Sequence, residues 1–505
     1  MEARNVDLVI VGASFAGLVC ARTAAQRGLK TVVIEAKPEP GARIHTTGIL
    51  VKEAAEEVDT PPQFSRAIHG VRLYAPSLKF IDLATPDYYF LTTDTAGLIR
   101  WLADEARHAG AEILCGRKCE VAERTETGLL LPQFGLHTRY LIGADGSRSM
   151  VRDAIGAAMQ GEYGIGHHYN VIFRAPEIAR AHRHGDAIMY WQVNDQTPSL
   201  LGPMDVGDRW FFMPPRPPGG AKFSIDDMPA LIRRSTGLDT PIEVLSSDEW
   251  VASRLVADRY QDRRVFLAGD ACHLHPPFGG YGMNMGVVDG VDLGWKIAAT
   301  LQGWGGPALL ETYTIERKAV HERVIEEAVA NHAVLSDRLA QPGIEDATPA
   351  GDGIRREVAA RIQATKIREF YTLGITLGLG YDRSPILAEE PGPPPARDFL
   401  NYRPTARPGY LAPHAWLHDG SSLYDHFGWG FALVVTSDGT DREIGAMRDA
   451  AAALNVSFAV VRPELGVLGE LYAARYALIR PDQHVAWRGD RIEDAQAILA
   501  RATGR

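Results

Sequence analysis

"DLVIVGASFAGLVCARTAAQRGLKTVVIE", residues 7–35, changes its hydrophobic period twice. Leu8–Val11 is apolar at every position, the composition of a strand buried on both faces. From Leu18 the apolar residues recur at helical spacing as far as Gly28, and Thr31–Ile34 supplies a second strand. Gly12 and Gly17 stand five apart in the turn, with Ala13 and Ser14 between them. A helix that opens there offers free N–H groups and a positive dipole to a pyrophosphate. Glu35, at the end of the second strand, is placed to accept an adenosine ribose hydroxyl. Ser14 fills the middle-glycine position and restricts how closely a phosphate approaches the backbone. Tight turns need glycines anyway; strand, helix and acidic residue together point to a dinucleotide.

Two further stretches share this style. "YLIGADGSRSMVRDAIG", residues 140–156, runs from a buried strand into a turn and a helix. Asp145 there either holds a ribose hydroxyl or makes an ordinary Asp-Gly turn. "AGDACHLHPPFGGYGMNMG", residues 268–286, follows the strand "RVFL" and leads into a helix expected from about 284. Its glycines leave backbone N–H groups uncovered for a flat ligand, and Asp270 is placed for a ribityl or ribose hydroxyl. The opposing reading is a glycine-rich surface loop, which normally carries fewer apolar residues.

Composition sets the limits. The chain has 505 residues, enough for two or three domains, and its 46% apolar and 23% charged content is ordinary for a globular protein. A net charge of −10 argues against nucleic acid or an anionic membrane surface as the main partner. Cys115 and Cys119 lack a second ligand pair, so no zinc site is expected. Four cysteines in all suit a reducing cytoplasm. The N-terminus lacks a basic head followed by a cleavable apolar segment, and no apolar stretch is long enough to span a bilayer.

Segments 61–93 and 161–260 read mainly as short aromatic-rich strands, among them "YNVIFRA", "AIMYWQV" and "RWFFMPP". Helical patterns cover about 95–109, 286–301, 307–340 and 354–379, and "SPILAEEPGPPPARDF" reads as a proline-rich linker. Beyond 400 the order strand, helix, strand, hairpin at Pro481-Asp482, helix is similar to a thioredoxin-like domain. That tail contains no cysteine, which excludes thiol–disulfide exchange there.

The three glycine-bearing motifs in this order resemble the single-component FAD-dependent aromatic hydroxylases, the para-hydroxybenzoate and phenol hydroxylase group. "DLGWKIAATLQGWGGPALLETYTIERKAV" (292–320) and "RPDQHVAWR" extend the likeness, the latter toward the aromatic polyketide hydroxylases. The resemblance implies an α/β chain. A Rossmann-like FAD-binding domain (1–60, 94–160 and 261–340) is interleaved with a mainly β substrate domain (61–93 and 161–260). A helical segment and linker (341–395) lead to the thioredoxin-like domain (396–505). It also implies that NADPH or NADH reduces FAD and that O2 adds at flavin C4a. The hydroperoxide then hydroxylates an aromatic or polycyclic phenolic substrate, as in secondary metabolism.

By the same resemblance Gly12, Ala13, Ser14 and Gly17 hold the pyrophosphate and Glu35 the ribose. Asp145 and Asp270 join the FAD contacts, and Gly282, Met283 and Asn284 back the isoalloxazine ring. Arg43 matches an FAD-contacting arginine or is a solvated loop residue. Pro277, whose carbonyl would face the reacting flavin edge, and His45 are the candidates for catalysis. His45 departs from the family's second arginine, and Thr95 from another. Phe278 and Tyr281 replace smaller or polar residues; with Trp191 they are the substrate-binding candidates, or else packing aromatics. His167, His168, His273 and His275 come in close pairs, one of which is a candidate base toward a phenol; no tight His–Cys cluster is expected. Two other readings stand beside the hydroxylase: a geranylgeranyl-reductase-like FAD enzyme, and a non-catalytic lipid carrier on the same fold.

Overall fold

Three glycine motifs far apart in sequence end up on one edge of one sheet. The computed structural model describes residues 3–505 apart from 43–47, 52–60, 69–70, 75–79, 84–89, 183–186, 188, 195–196, 205–207, 218, 220, 335–338, 371, 438 and 464–465. The chain opens with β1 (Arg4–Val11), α1 (Phe15–Gln26), β2 (Thr31–Ile34), α2 (Thr95–His108), β3 (Glu112–Leu114) and β4 (Leu136–Gly143). Two long strands follow, β5 (Met159–Arg174) and β6 (Glu243–Ala257). The chain then returns to the first unit through β7 (Val265–Leu267) and continues as α3 (Tyr281–Leu301), α4 (Pro307–His332) and α5 (Pro349–Phe370).

Strands β7, β4, β1, β2 and β3 lie side by side in that order, all parallel. Their register pairs Val11 with Ile34 and with Gly143, and Gly143 with Leu267. The residues next in sequence, Gly12, Glu35, Ala144 and Ala268, therefore gather at the carboxyl edge, where open α/β sheets bind ligands. Leu8, Val9 and Ile10 are fully buried, as their unbroken apolar run requires.

Helix α3 lies against α1 through Gly286, Gly290 and Gly294, one face at every fourth residue. A Cβ at Gly290 would sit 2.5 Å from the Ala16 carbonyl oxygen, and one at Gly294 would sit 2.7 Å from Thr23 Cβ. The helix begins at Tyr281, three residues before the expected start, because Gly280 takes a left-handed conformation (φ +69°) at its N-cap. Gly286 thus serves helix packing and is not open to a flat ligand.

The second sheet has the order 190–192, 199–203, 209–213, β5, β6, 273–274. Its last strand belongs to the glycine loop: Leu255 pairs with Leu274 and Val256 with His273. The middle sheet and the loop are therefore hydrogen-bonded into one piece.

The tail forms a four-stranded sheet from β8 (Phe431–Val435), β9 (Phe458–Val461), β10 (Tyr476–Ile479) and β11 (Val485–Gly489). The order is β9-β8-β10-β11, with β8 and β9 parallel and the other pairs antiparallel, the thioredoxin-like topology. One hydrophobic core joins Trp295, Trp304 and Leu309 of the α3–α4 region to Phe431, Leu433 and Leu478 of the tail. The segment expected as a linker is partly built in: Ile386 and Leu387 are buried, and the Ser384 hydroxyl donates to Glu316. Among the described residues no helix is long and apolar enough to cross a membrane.

Candidate functional site

The carboxyl edge is stitched together by the groups the glycines leave exposed. Gly12 has φ +106°, and a Cβ on it would sit 2.3 Å from the Ala144 carbonyl oxygen. A Cβ on Gly17 would sit 2.1 Å from the Gly12 oxygen, so both glycines are needed for the turn itself. Ser14 is the N-cap of α1: its hydroxyl accepts from the Gly17 N–H and donates to the Ala144 carbonyl at 3.1 Å. The serine in the middle-glycine position is thus a structural cap, and the first-turn N–H groups of α1 have no partner within the helix. Glu35 accepts from the Ala13 N–H and the Lys37 N–H, both at 2.7 Å. Those bonds aim the carboxylate across the mouth of the turn and leave lone pairs for a ribose hydroxyl.

Asp145 is the turn residue. Its oxygens accept from the Ser149 hydroxyl at 2.5 Å and the Val151 N–H at 3.2 Å, which opens the short helix Met150–Ala154. Its neighbour Arg152, not singled out in the sequence, is buried and donates to the Ser147 and Ala271 carbonyls. Arg152 therefore ties the second motif to the third. Its only sequence signal is its place at the end of "GADGSRSMVR".

In the third motif Asp270 is solvent-exposed on the short 3₁₀ turn Gly269–Ala271. The protein packed around it raises its carboxyl above the ordinary range, with His273 opposing. Gly282, Met283 and Asn284 are half-buried in the first turn of α3. The Asn284 amide donates to the Gly280 carbonyl, and the His275 ring stands 3.3 Å from where a Gly282 Cβ would be. Burial and neighbouring His273 lower His275 to about 4, so it is neutral at neutral pH. Pro277 is exposed, and its carbonyl accepts from the Gly280 N–H at 3.1 Å. The N-termini of α1 and α3, whose helices pack side by side, and the left-handed Gly279–Gly280 pair form a donor set suited to an extended anionic dinucleotide carrying a flat ring.

Behind the loop the structure corrects one expectation. Cys272, His273, Asp289 and His321 form a tight buried cluster, their donor atoms within 4.8 Å of one another. Its centre is Asp289, which accepts from the Gly269 N–H at 3.0 Å and Arg317 Nε at 2.8 Å, with His321 Nε2 at 3.0 Å and His273 Nε2 at 3.3 Å. Burial pushes this carboxyl up, but His321 and Arg317 hold it well below its usual range. The Arg317 guanidinium already supplies the positive charge a metal ion would bring, so the cluster is a hydrogen-bonded anchor for the Gly269 turn. Sequence spacing concealed it because His321 comes from α4 and Asp289 from α3.

The substrate candidates separate. Phe278 is buried with its ring 6.3 Å from Trp191 and 6.4 Å from Trp250, between the loop and the middle sheet. Tyr281 turns the other way, folding over Gly279 and joining the core shared by α3, α4 and the tail. Burial raises its hydroxyl above the usual range. Arg43 and His45 lie outside the described residues.

Residues 5–328 match the family described as FAD binding domain, and residues 405–505 match the C-terminal domain of aromatic-ring hydroxylases. The chain is 31% identical to tetracenomycin A2 monooxygenase-dioxygenase of Streptomyces glaucescens, over 94% of this chain and 88% of that one. It is 29% identical to aklavinone 12-hydroxylase RdmE of Streptomyces purpurascens, over the full length of both. Among solved structures, RebC with bound 7-carboxy-K252c superposes with TM-score 0.85 at 30% identity, covering both chains completely. A ternary complex of aklavinone-11 hydroxylase with FAD and aklavinone superposes at 0.83 with 26% identity, also over both chains completely. These matches do not favour the isoprenoid-reductase and lipid-carrier readings. These family matches and relatives, together with the glycine cradle at the sheet edge, make this chain a member of the FAD-dependent aromatic-ring hydroxylase family, an FAD-dependent monooxygenase.

Proposed function

We propose that the protein hydroxylates a polycyclic aromatic phenol of polyketide type, drawing electrons from NADPH or NADH and the oxygen atom from O2. The observation that carries this reading is the aromatic cluster in which Phe278 of the glycine loop meets Trp191 and Trp250 of the middle sheet. Flat, wide walls of this kind suit fused rings. The named relatives act on tetracenomycin and aklavinone scaffolds. The cysteines Cys20, Cys115, Cys119 and Cys272 are all free, which supports a reducing compartment such as the cytoplasm.

FAD, when bound, supplies the electron transfer and the reaction with dioxygen. The chain's own residues bind and orient. Gly12, Ala13, Ser14 and Gly17 present the α1 N-terminus to the pyrophosphate, with Glu35 on the ribose and Asp270 on the ribityl side. Gly282, Met283 and Asn284 place the α3 N-terminus beside the ring, where its dipole favours negative charge. Pro277 is the described residue assigned to the reacting edge. Asp145 acts one step back by holding the turn, and Phe278 and Trp191 exclude water from the substrate side.

The test is NAD(P)H-driven oxygen uptake by the FAD-loaded protein across hydroxylated anthraquinones, naphthols and simple phenols, with mass analysis of the products. Expected is stimulation by fused-ring phenols and one added oxygen atom. If no ring compound stimulates uptake or gains oxygen, the reading fails.

A further inference from the structure

Two histidines far apart in sequence meet beside the aromatic cluster. His168 lies on β5 and His332 ends α4, and their Nε2 atoms stand 3.3 Å apart. Both are buried, 9% and 3% exposed. The His168 ring stacks on Trp250 at 5.3 Å, and the His332 ring stands 5.7 Å from Phe278. Gly166 makes the meeting possible: a Cβ there would sit 2.6 Å from His332 Nε2 and 3.0 Å from His168 Nε2. A register shift in the β5–β6 pairing between Tyr163 and Gly166 turns this stretch toward α4. His168, one of the histidines offered from sequence as a candidate base, thus meets a partner across the fold.

A hydrogen bond between two Nε2 atoms requires complementary tautomers, one ring protonated at Nε2 and the other at Nδ1. Such a pair accepts one more proton without breaking its bond, because the bridging hydrogen shifts from one ring to the other. A positive charge that comes to rest on the His168 ring lies beside the last turn of α4, which holds His332 and whose dipole stabilises nearby cations.

We infer that His332 and His168 take up the hydroxyl proton of an aromatic substrate held between the middle sheet and the Phe278 loop; this rests on the proposed function above. The substrate O–H bond breaks, its proton goes to the His332 ring, and the hydrogen on His332 Nε2 passes to His168 Nε2. The electron pair stays on the substrate oxygen and enriches the ring carbons ortho and para to it. The step needs no oxidant, and one proton is conserved throughout.

The test uses the full-length FAD-loaded protein with 2-naphthol and 1-hydroxyanthraquinone. Both hydroxyls are un-ionised in neutral water, and both absorption bands move to longer wavelength on ionisation. The wild type is expected to bind the probes in the ionised form, while His332→Gln and His168→Gln bind them neutral. Probe-dependent kcat should fall about 100-fold with KM nearly unchanged, and imidazole should restore ionisation in His332→Ala. Ionisation unchanged in both variants, or absent in the wild type, overturns the inference and leaves the proposed function standing. An FAD-loaded wild type that binds neither probe, and whose oxygen uptake no phenol stimulates, overturns both. If both Gln variants lose FAD, the pair is structural and the inference falls.

Discussion

At the residue scale, the site is a set of charges and rings held away from their solution behaviour. Burial lowers His275 to about 4 and His321 to about 3, so both are neutral where a free imidazole titrates near 6.5. A base depressed by folding binds its proton more tightly in the unfolded chain, so stability falls as pH drops through about 6.5. Asp289 and Glu316 add a second loss. Burial opposes their ionisation, yet His321 and Arg317 hold Asp289 well below its usual range, and Arg480 and Lys296 hold Glu316 at about 2. Their stabilisation is full above about pH 4.5 and disappears as pH falls toward 2. Thermal unfolding of the FAD-loaded protein between pH 8 and 4 should show Tm flat above pH 7 and falling below about 6.5. A Tm unchanged from pH 7 to pH 5 would show that these imidazoles titrate normally.

At the element scale, the contact between α1 and α3 sets where the two helix N-termini lie. Both helices start on the same side of their contact, and the glycine stripe on α3 lets the two backbones approach. Gly290→Ala drives a methyl to 2.5 Å from the Ala16 carbonyl, where only backbone can give way. The expected cost is about 1–3 kcal/mol of stability, typical of overpacking, with weaker FAD retention because Ala16 lies in the first turn of α1. Flavin fluorescence during dilution measures the retention. Gly353→Ala, inside α5 with open space around its Cβ, is the control: it should leave FAD retention unchanged and add about 0.5–1 kcal/mol of stability. The stripe was visible in "GMNMGVVDGVDLG", yet a run of spaced glycines does not say whether it faces a ligand or a helix.

At the scale of the whole molecule, the tail is a clamp on α3 and α4. Arg480 of β10's hairpin is fully enclosed: it donates to both Glu316 oxygens at 2.7 and 2.9 Å and to Asp482 at 2.5 Å. Lys296 of α3 bonds Asp292 and Glu316, at 2.8 and 2.7 Å, completing a buried network between domains. The Arg480 guanidinium also lies over the Trp295 and Tyr381 rings, 5.4 Å from each centroid. Removing Arg480 leaves the buried carboxylates Asp292, Glu316 and Asp482 short of one positive charge, so Arg480→Met should cost about 3–5 kcal/mol. Denaturant unfolding followed separately by flavin release and by tryptophan emission should lose both signals in one transition. Two separate transitions would show that the tail folds on its own.

What the sequence determined by itself was local: the strand–turn–helix of residues 7–35, the acidic end of β2, the glycine loop and the strand order of the tail. Each depends on backbone sterics or hydrophobic period over a few residues, which composition encodes directly. Tertiary structure alone decided the long-range pairings. His168 with His332 and Glu316 with Arg480 each join residues 164 positions apart. Asp289 meets His273, Arg317 and His321 only because α3, α4 and the loop converge. A titratable side chain carries no mark of its partner in its own sequence neighbourhood. Packing chooses the partner, and burial then makes that choice energetically decisive.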